Sequence, residues 1–77
     1  MTANEIAAVL TGKGWVMSTG TNEGFRVAPG KQGVIVFFCS PMHHGGTVTR
    51  MLKNYERSLA DYEVTRLKSH LLVTGKK

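Results

Sequence analysis

The stretch Gly12-Lys13-Gly14-Trp15 separates a short amphipathic segment from a run of strand-forming residues. Before it, Thr2 and Glu5 have the spacing of a helix capping box, and apolar residues then recur every three or four positions. The two glycines of the stretch are typical helix terminators. The sequence therefore predicts a helix over about residues 3–12, and Trp15 opens the next element.

Three β-prone runs follow this junction, at residues 15–19, 25–28 and 34–39. Gly20-Thr-Asn-Glu-Gly24 separates the first two, and Pro29-Gly30-Lys-Gln-Gly33 separates the last two. Both are turn signals, because glycine permits positive φ and proline presets a turn conformation. The pattern predicts a three-stranded antiparallel meander.

A helical period returns from residue 47. One side of the predicted helix is apolar: Val48, Met51, Leu52, Tyr55, Leu59 and Tyr62. The opposite side is basic: Arg50, Lys53 and Arg57. The phase changes near Asp61, after which another apolar stripe follows helical spacing: Val64, Leu67, Leu71 and Leu72. This predicts a second helix that is extended or broken in its C-terminal part.

These elements predict an α+β fold of order α-β-β-β-α, in which the helices cover one face of the sheet. We expect residues 1–77 to form a single small domain, with its core in about residues 2–60 and a C-terminal helical extension over about residues 61–73.

Ten Lys and Arg residues against five Asp and Glu residues give a net charge of +5, and residues 41–77 carry +4 of it. Such a balance favours an acidic partner. Cys39 is the sole cysteine, no apolar run is long enough to span a bilayer, and no signal-peptide pattern opens the chain. We therefore expect a cytoplasmic protein that does not bind membranes. Cys39, His43 and His44 offer too few ligands for a zinc site, so we expect no metal and no cofactor.

The basic residues are the candidates for contacting RNA or DNA through its phosphate backbone, and they are Lys13, Arg26, Lys31, Arg50, Lys53 and Arg57. Four aromatic residues are candidates for stacking on bases, although strand alternation predicts that most of them face the helices: Trp15, Phe25, Phe37 and Phe38. An alternative function uses the apolar stripe Val64, Leu67, Leu71 and Leu72 for binding a protein partner or a second copy of the chain.

Three segments resemble the HicA-type toxin family of small mRNA interferases. They are Ala7-Ala-Val-Leu-Thr-Gly-Lys-Gly-Trp15, Phe25-Arg-Val and Pro41-Met-His-His-Gly-Gly-Thr-Val-Thr-Arg-Met-Leu-Lys53, and the likeness spans about residues 4–55. The resemblance implies a fold like that of double-stranded-RNA-binding domains, metal-free cleavage of mRNA, and a partner antitoxin that neutralises the toxin.

The chain departs from this family at the turn that carries the family's catalytic histidine. The family has Gly-Ser-His-His there, whereas this chain has Gly20-Thr21-Asn22-Glu23. We therefore expect a non-catalytic nucleic-acid-binding protein. A metal-free endoribonuclease is the weaker alternative, and it would use His43 or His44 for acid–base catalysis, since histidine titrates near neutral pH.

Overall fold

The computed structural model describes residues 1–42 and 45–77 and has the element order α-β-β-α-β-β. The elements are α1 (Ala3–Gly12), β1 (Gly24–Pro29), β2 (Val34–Cys39), α2 (Gly45–Ser58), β3 (Tyr62–Arg66) and β4 (Leu71–Lys76). The four strands form one antiparallel sheet in the order β1-β2-β4-β3. The predicted α+β class is confirmed, whereas the three-stranded sheet and the order α-β-β-β-α are not.

Helix α1 occupies the residues that the capping and periodicity predict. The Thr2 hydroxyl accepts a 3.1 Å hydrogen bond from the Glu5 backbone N–H, which satisfies one of the free amides of the first turn. The Glu5 carboxylate accepts a 2.9 Å hydrogen bond from the Tyr62 hydroxyl. The Glu5 side chain therefore connects α1 to β3. The sequence predicts instead that it completes the capping box at the start of α1.

Residues 15–19 were predicted as a strand, but they contribute an isolated parallel bridge from Met17 to Phe25 in β1. The chain then turns back on itself through local side-chain bonds. The Asn22 side chain accepts a 2.7 Å hydrogen bond from the Thr19 N–H, and the Ser18 hydroxyl donates to the Asn22 carbonyl. Such bonds compete with a sheet ladder, so the extended segment stays short.

The predicted helical extension over residues 61–73 is wrong, because this region forms the antiparallel pair β3 and β4. Burial alternates with the period of a strand in β4, where Leu71 and Val73 are fully buried and Leu72 lies between them on the other face. The i, i+3, i+7 spacing of Val64, Leu67 and Leu71 also fits two strands joined by a turn. The spacing therefore does not distinguish one helix from two strands in this region.

Both helices pack on one face of the sheet. Strand β2 directs Val34, Val36 and Phe38 into the core, and its alternate residues face away from it. The core draws on α1, α2 and all four strands, and it includes Ile6, Leu10, Phe25, Leu52, Tyr55, Leu59, Leu71 and Val73. This arrangement holds α2 beside the edge strand β3.

Candidate nucleic-acid interface

The exposed side of α2 carries the predicted basic residues Arg50, Lys53 and Arg57. Spacings of three and four residues place them on one side of the helix, while Leu52 and Tyr55 are buried on the other. The apolar contact of α2 with the sheet therefore fixes the direction in which the three cations point.

A groove of about 470 Å³ runs between α2 and β3. Its base is formed by apolar and aromatic side chains, which include Leu59, Tyr62 and Val64. Its charged residues are four cations and two carboxylates: Lys53, Arg57, Arg66, Lys77, Glu56 and Glu63. The groove is thus a positively charged concavity with a partly apolar floor, continuous with the basic side of α2.

One ion pair crosses the groove, with 3.3 Å between the Arg66 guanidinium and the Glu56 carboxylate. Both side chains are substantially exposed, at 44% and 38% respectively. An exposed pair of this kind contributes little stability and leaves most of the guanidinium donors accessible. Arg66 can therefore bind a second anion without losing a large structural contribution.

A second cavity of about 440 Å³ adjoins the groove near the C-terminus and shares Tyr62 and Lys77 with it. The Lys76 ammonium lies 5.8 Å from the centre of the Tyr62 ring. The hydrogen bond from Tyr62 to the Glu5 carboxylate raises the pKa of the Tyr62 hydroxyl, since the carboxylate favours its protonated form. Tyr62 therefore stays neutral at physiological pH, and the charged residues that line this cavity are Asp61, Lys76 and Lys77.

The other predicted basic residues do not join α2. Arg26 in β1 pairs with Phe37, which faces away from the helices, so Arg26 lies on the opposite face of the sheet. Lys31 lies in the turn between β1 and β2, and Lys13 follows the end of α1. The predicted basic residues therefore lie on separate surfaces. Arg66 and Lys77, which were not among them, line the groove beside α2. The concentration of positive charge after residue 40 was the sequence signal for these two residues.

The predicted interaction stripe is not one surface. Leu71 is fully buried in the core, and Val64 lines the groove beside α2. Leu72 lies on the outer face of the sheet, and Leu67, 42% exposed, lies between β3 and β4. The helical register that would have aligned these four residues does not exist.

The histidines proposed for catalysis, His43 and His44, lie outside the described residues. Cys39 is a free, half-buried thiol at the end of β2. Among residues 1–42 and 45–77, no three His, Cys, Asp or Glu side chains form a cluster suited to a metal ion. In the same described ranges, no helix has the length and apolar character required to cross a bilayer.

Comparison of the chain with family models, curated proteins and solved structures gave no match. The resemblance to the HicA-type toxins therefore remains a prediction from the sequence motifs.

Proposed function

We propose that this chain is a non-catalytic nucleic-acid-binding protein that holds the phosphate backbone of RNA or DNA along α2 and the adjoining groove. The observation that carries the proposal is the four-cation lining of the groove, with two carboxylates to oppose it. Lys53 and Arg57 come from α2, whereas Arg66 comes from β3. The charge is therefore assembled by the fold and is not the solvated side of a single helix.

The spacing of the cations suits a phosphate chain. An α-helix rises about 1.5 Å per residue, so Arg50 and Arg57 are separated by roughly 10 Å along α2. Phosphates of one strand follow each other at about 3.4 Å along a duplex axis, so this length spans about three phosphate steps when α2 lies parallel to that axis. Contacts of this kind give affinity for the backbone without selecting a base sequence.

Salt-dependent binding tests the proposal. Affinity for short RNA and DNA duplexes would be measured by fluorescence anisotropy over a range of salt concentrations. We expect the logarithm of the affinity to fall linearly with the logarithm of salt, because each neutralised phosphate releases counterions. Arg57→Gln should weaken binding and reduce the slope by about 0.9 for one lost phosphate contact.

Lys31→Gln is the matched control, since it removes one exposed cation outside the groove and gives the same change in net charge. If binding depended only on the net charge of the protein, the two variants would lose the same affinity. Equal loss in both variants, or no binding at low salt, contradicts the proposal.

The self-association alternative retains two accessible residues of its stripe, Leu67 and Leu72. Both lie away from the groove, so this alternative requires a separate surface. Light scattering of the unmodified chain tests self-association directly, because this alternative requires a dimer or a larger assembly.

A further inference from the structure

The face of the sheet opposite the helices carries two rows of side chains in register. Ala28, Ile35, Leu72 and Thr65 form the first row, one from each strand. Arg26 and Phe37 begin the second row as a cross-strand pair. The register of β2 with β4, extended by one residue, brings His70 opposite Phe37, and Leu67 follows through a 2.9 Å hydrogen bond from its N–H to the His70 carbonyl.

Burial separates these rows from the core. Phe25 and Phe38, which face the helices, are at most 6% exposed, whereas Phe37 is only half-buried. Arg26 at one end of its row is exposed, and so is Leu67 at the other. Phe37 is therefore the aromatic side chain of β2 that the helices leave accessible.

The charge of Arg26 favours an anionic partner, and the ring of Phe37 favours a partner that also offers flat rings. Arg26 is positively charged, and neither row contains a carboxylate. Two copies packed symmetrically through this face would meet the same residues, so the rows would supply Arg26 with no acidic partner. A single-stranded nucleic acid supplies both a phosphate for the guanidinium and a base for the aromatic ring.

We propose that the outer face of the sheet binds unpaired bases of a single-stranded nucleic acid, with one base stacked on Phe37 and a neighbouring phosphate bound by Arg26. Adjacent strands lie about 4.8 Å apart, so the two side chains start close enough to contact one nucleotide and the next phosphate. This inference rests on the proposed function and specifies its ligand. The groove would hold backbone, and the sheet would select unpaired over paired bases, since a duplex keeps its bases stacked inside.

The test compares an unstructured oligonucleotide, oligouridylate or oligothymidylate, with a duplex of equal length. Phe37→Leu retains an apolar side chain but removes the aromatic face. We expect it to weaken single-strand binding by about 10-fold, within the range for the loss of one stacked base, and to leave duplex binding unchanged. Phe37→Trp should bind the single strand as tightly as the unmodified chain does, because it keeps an aromatic face. If Phe37 had a merely structural role, the larger ring would not preserve binding.

Arg26→Gln should weaken single-strand binding and lower its salt dependence, because it removes one phosphate contact. Urea unfolding of each variant shows whether the fold is retained. Ile35→Val, in the first row, is the control for a small change of packing on the same face.

Unchanged single-strand affinity in Phe37→Leu overturns this inference. The groove proposal is then tested separately, by the affinity and salt dependence of Arg57→Gln. Absence of binding to both oligonucleotides contradicts the proposed function as well. Light scattering that shows a dimer in the unmodified chain and a monomer in Phe37→Leu assigns the face to a second copy of the chain, which also overturns the inference.

Discussion

The indole N–H of Trp15 donates a 2.7 Å hydrogen bond to the hydroxyl of Ser58, in the last turn of α2. The Ser58 hydroxyl in turn donates to the Asn54 carbonyl at 3.0 Å. The Trp15 ring meets the Tyr55 ring edge to face, with 5.4 Å between their centres. Trp15, three residues after the end of α1, thus fixes the position of α2, and with it the direction of the basic side chains.

Replacement of Trp15 by Phe should keep most of the ring contact and remove this hydrogen bond. We expect a loss of about 1 kcal/mol in the free energy of unfolding, measured by urea titration. Ser58→Ala should cost at least as much, because it leaves the partly buried indole N–H without its acceptor. The double variant should lose less than the sum of the two single losses, and strict additivity would contradict a direct interaction.

Leu71 and Leu67 belong to the same predicted stripe but have opposite environments. Leu71 is fully buried, whereas Leu67 is 42% exposed. Leu71→Ala should lower the free energy of unfolding by about 2–5 kcal/mol, because it removes buried apolar surface and leaves a cavity. Leu67→Ala should change it by no more than about 0.5 kcal/mol. Similar losses in both variants would contradict the β3–β4 pair.

The N-terminal half of the fold was the more predictable from the sequence, because its signals are local. The capping residues and the glycines define α1, and the run from Val34 to Cys39 is β2. The C-terminal strands depend on pairing between β4 and β2, which are distant in the chain. Spacing alone did not reveal this pairing, since Val64 and Leu71 fit a helical period as well as two strands.

The candidate site follows the same division. Periodicity along α2 was sufficient to group Arg50, Lys53 and Arg57. Arg66 joins them only because β3 lies beside α2, and a helix over residues 61–73 does not predict this contact. The sequence shows the charge of Arg26 but not the face of the sheet on which Arg26 lies.

Two glycines provide a matched pair of substitutions. A Cβ at Gly24 would collide with the Val16 carbonyl oxygen and lie 2.8 Å from the Ser18 nitrogen, where the short bridge contacts β1. Gly24→Ala should therefore cost about 1–3 kcal/mol. Gly46→Ala meets nothing within 4 Å and replaces a glycine in α2, so it should stabilise the protein by about 0.5 kcal/mol. Thermal unfolding measures both, and a tolerated Gly24→Ala would contradict the close approach.

Stability should fall at alkaline pH because of the buried Tyr55. Burial, with smaller contributions from the nearby Glu23 and Cys39, raises the pKa of Tyr55 to about 12 from the ordinary value of 10.0. The folded state therefore keeps the phenol proton after the unfolded state has begun to lose it. The contribution is fully present below pH 10 and is lost as pH rises toward 12, with a slope of at most about 1.4 kcal/mol per pH unit for one proton.

Urea unfolding across this range measures the loss, and tyrosinate absorbance reports the titration. Tyr55→Phe has no proton to lose at this position, so its stability should depend less steeply on pH than that of the unmodified chain. Glu5→Gln is the second comparison, because it removes the carboxylate that raises the pKa of Tyr62. It should shift the Tyr62 titration toward lower pH without changing that of Tyr55. Identical slopes in the unmodified chain and Tyr55→Phe would show that the buried phenol does not control the alkaline transition.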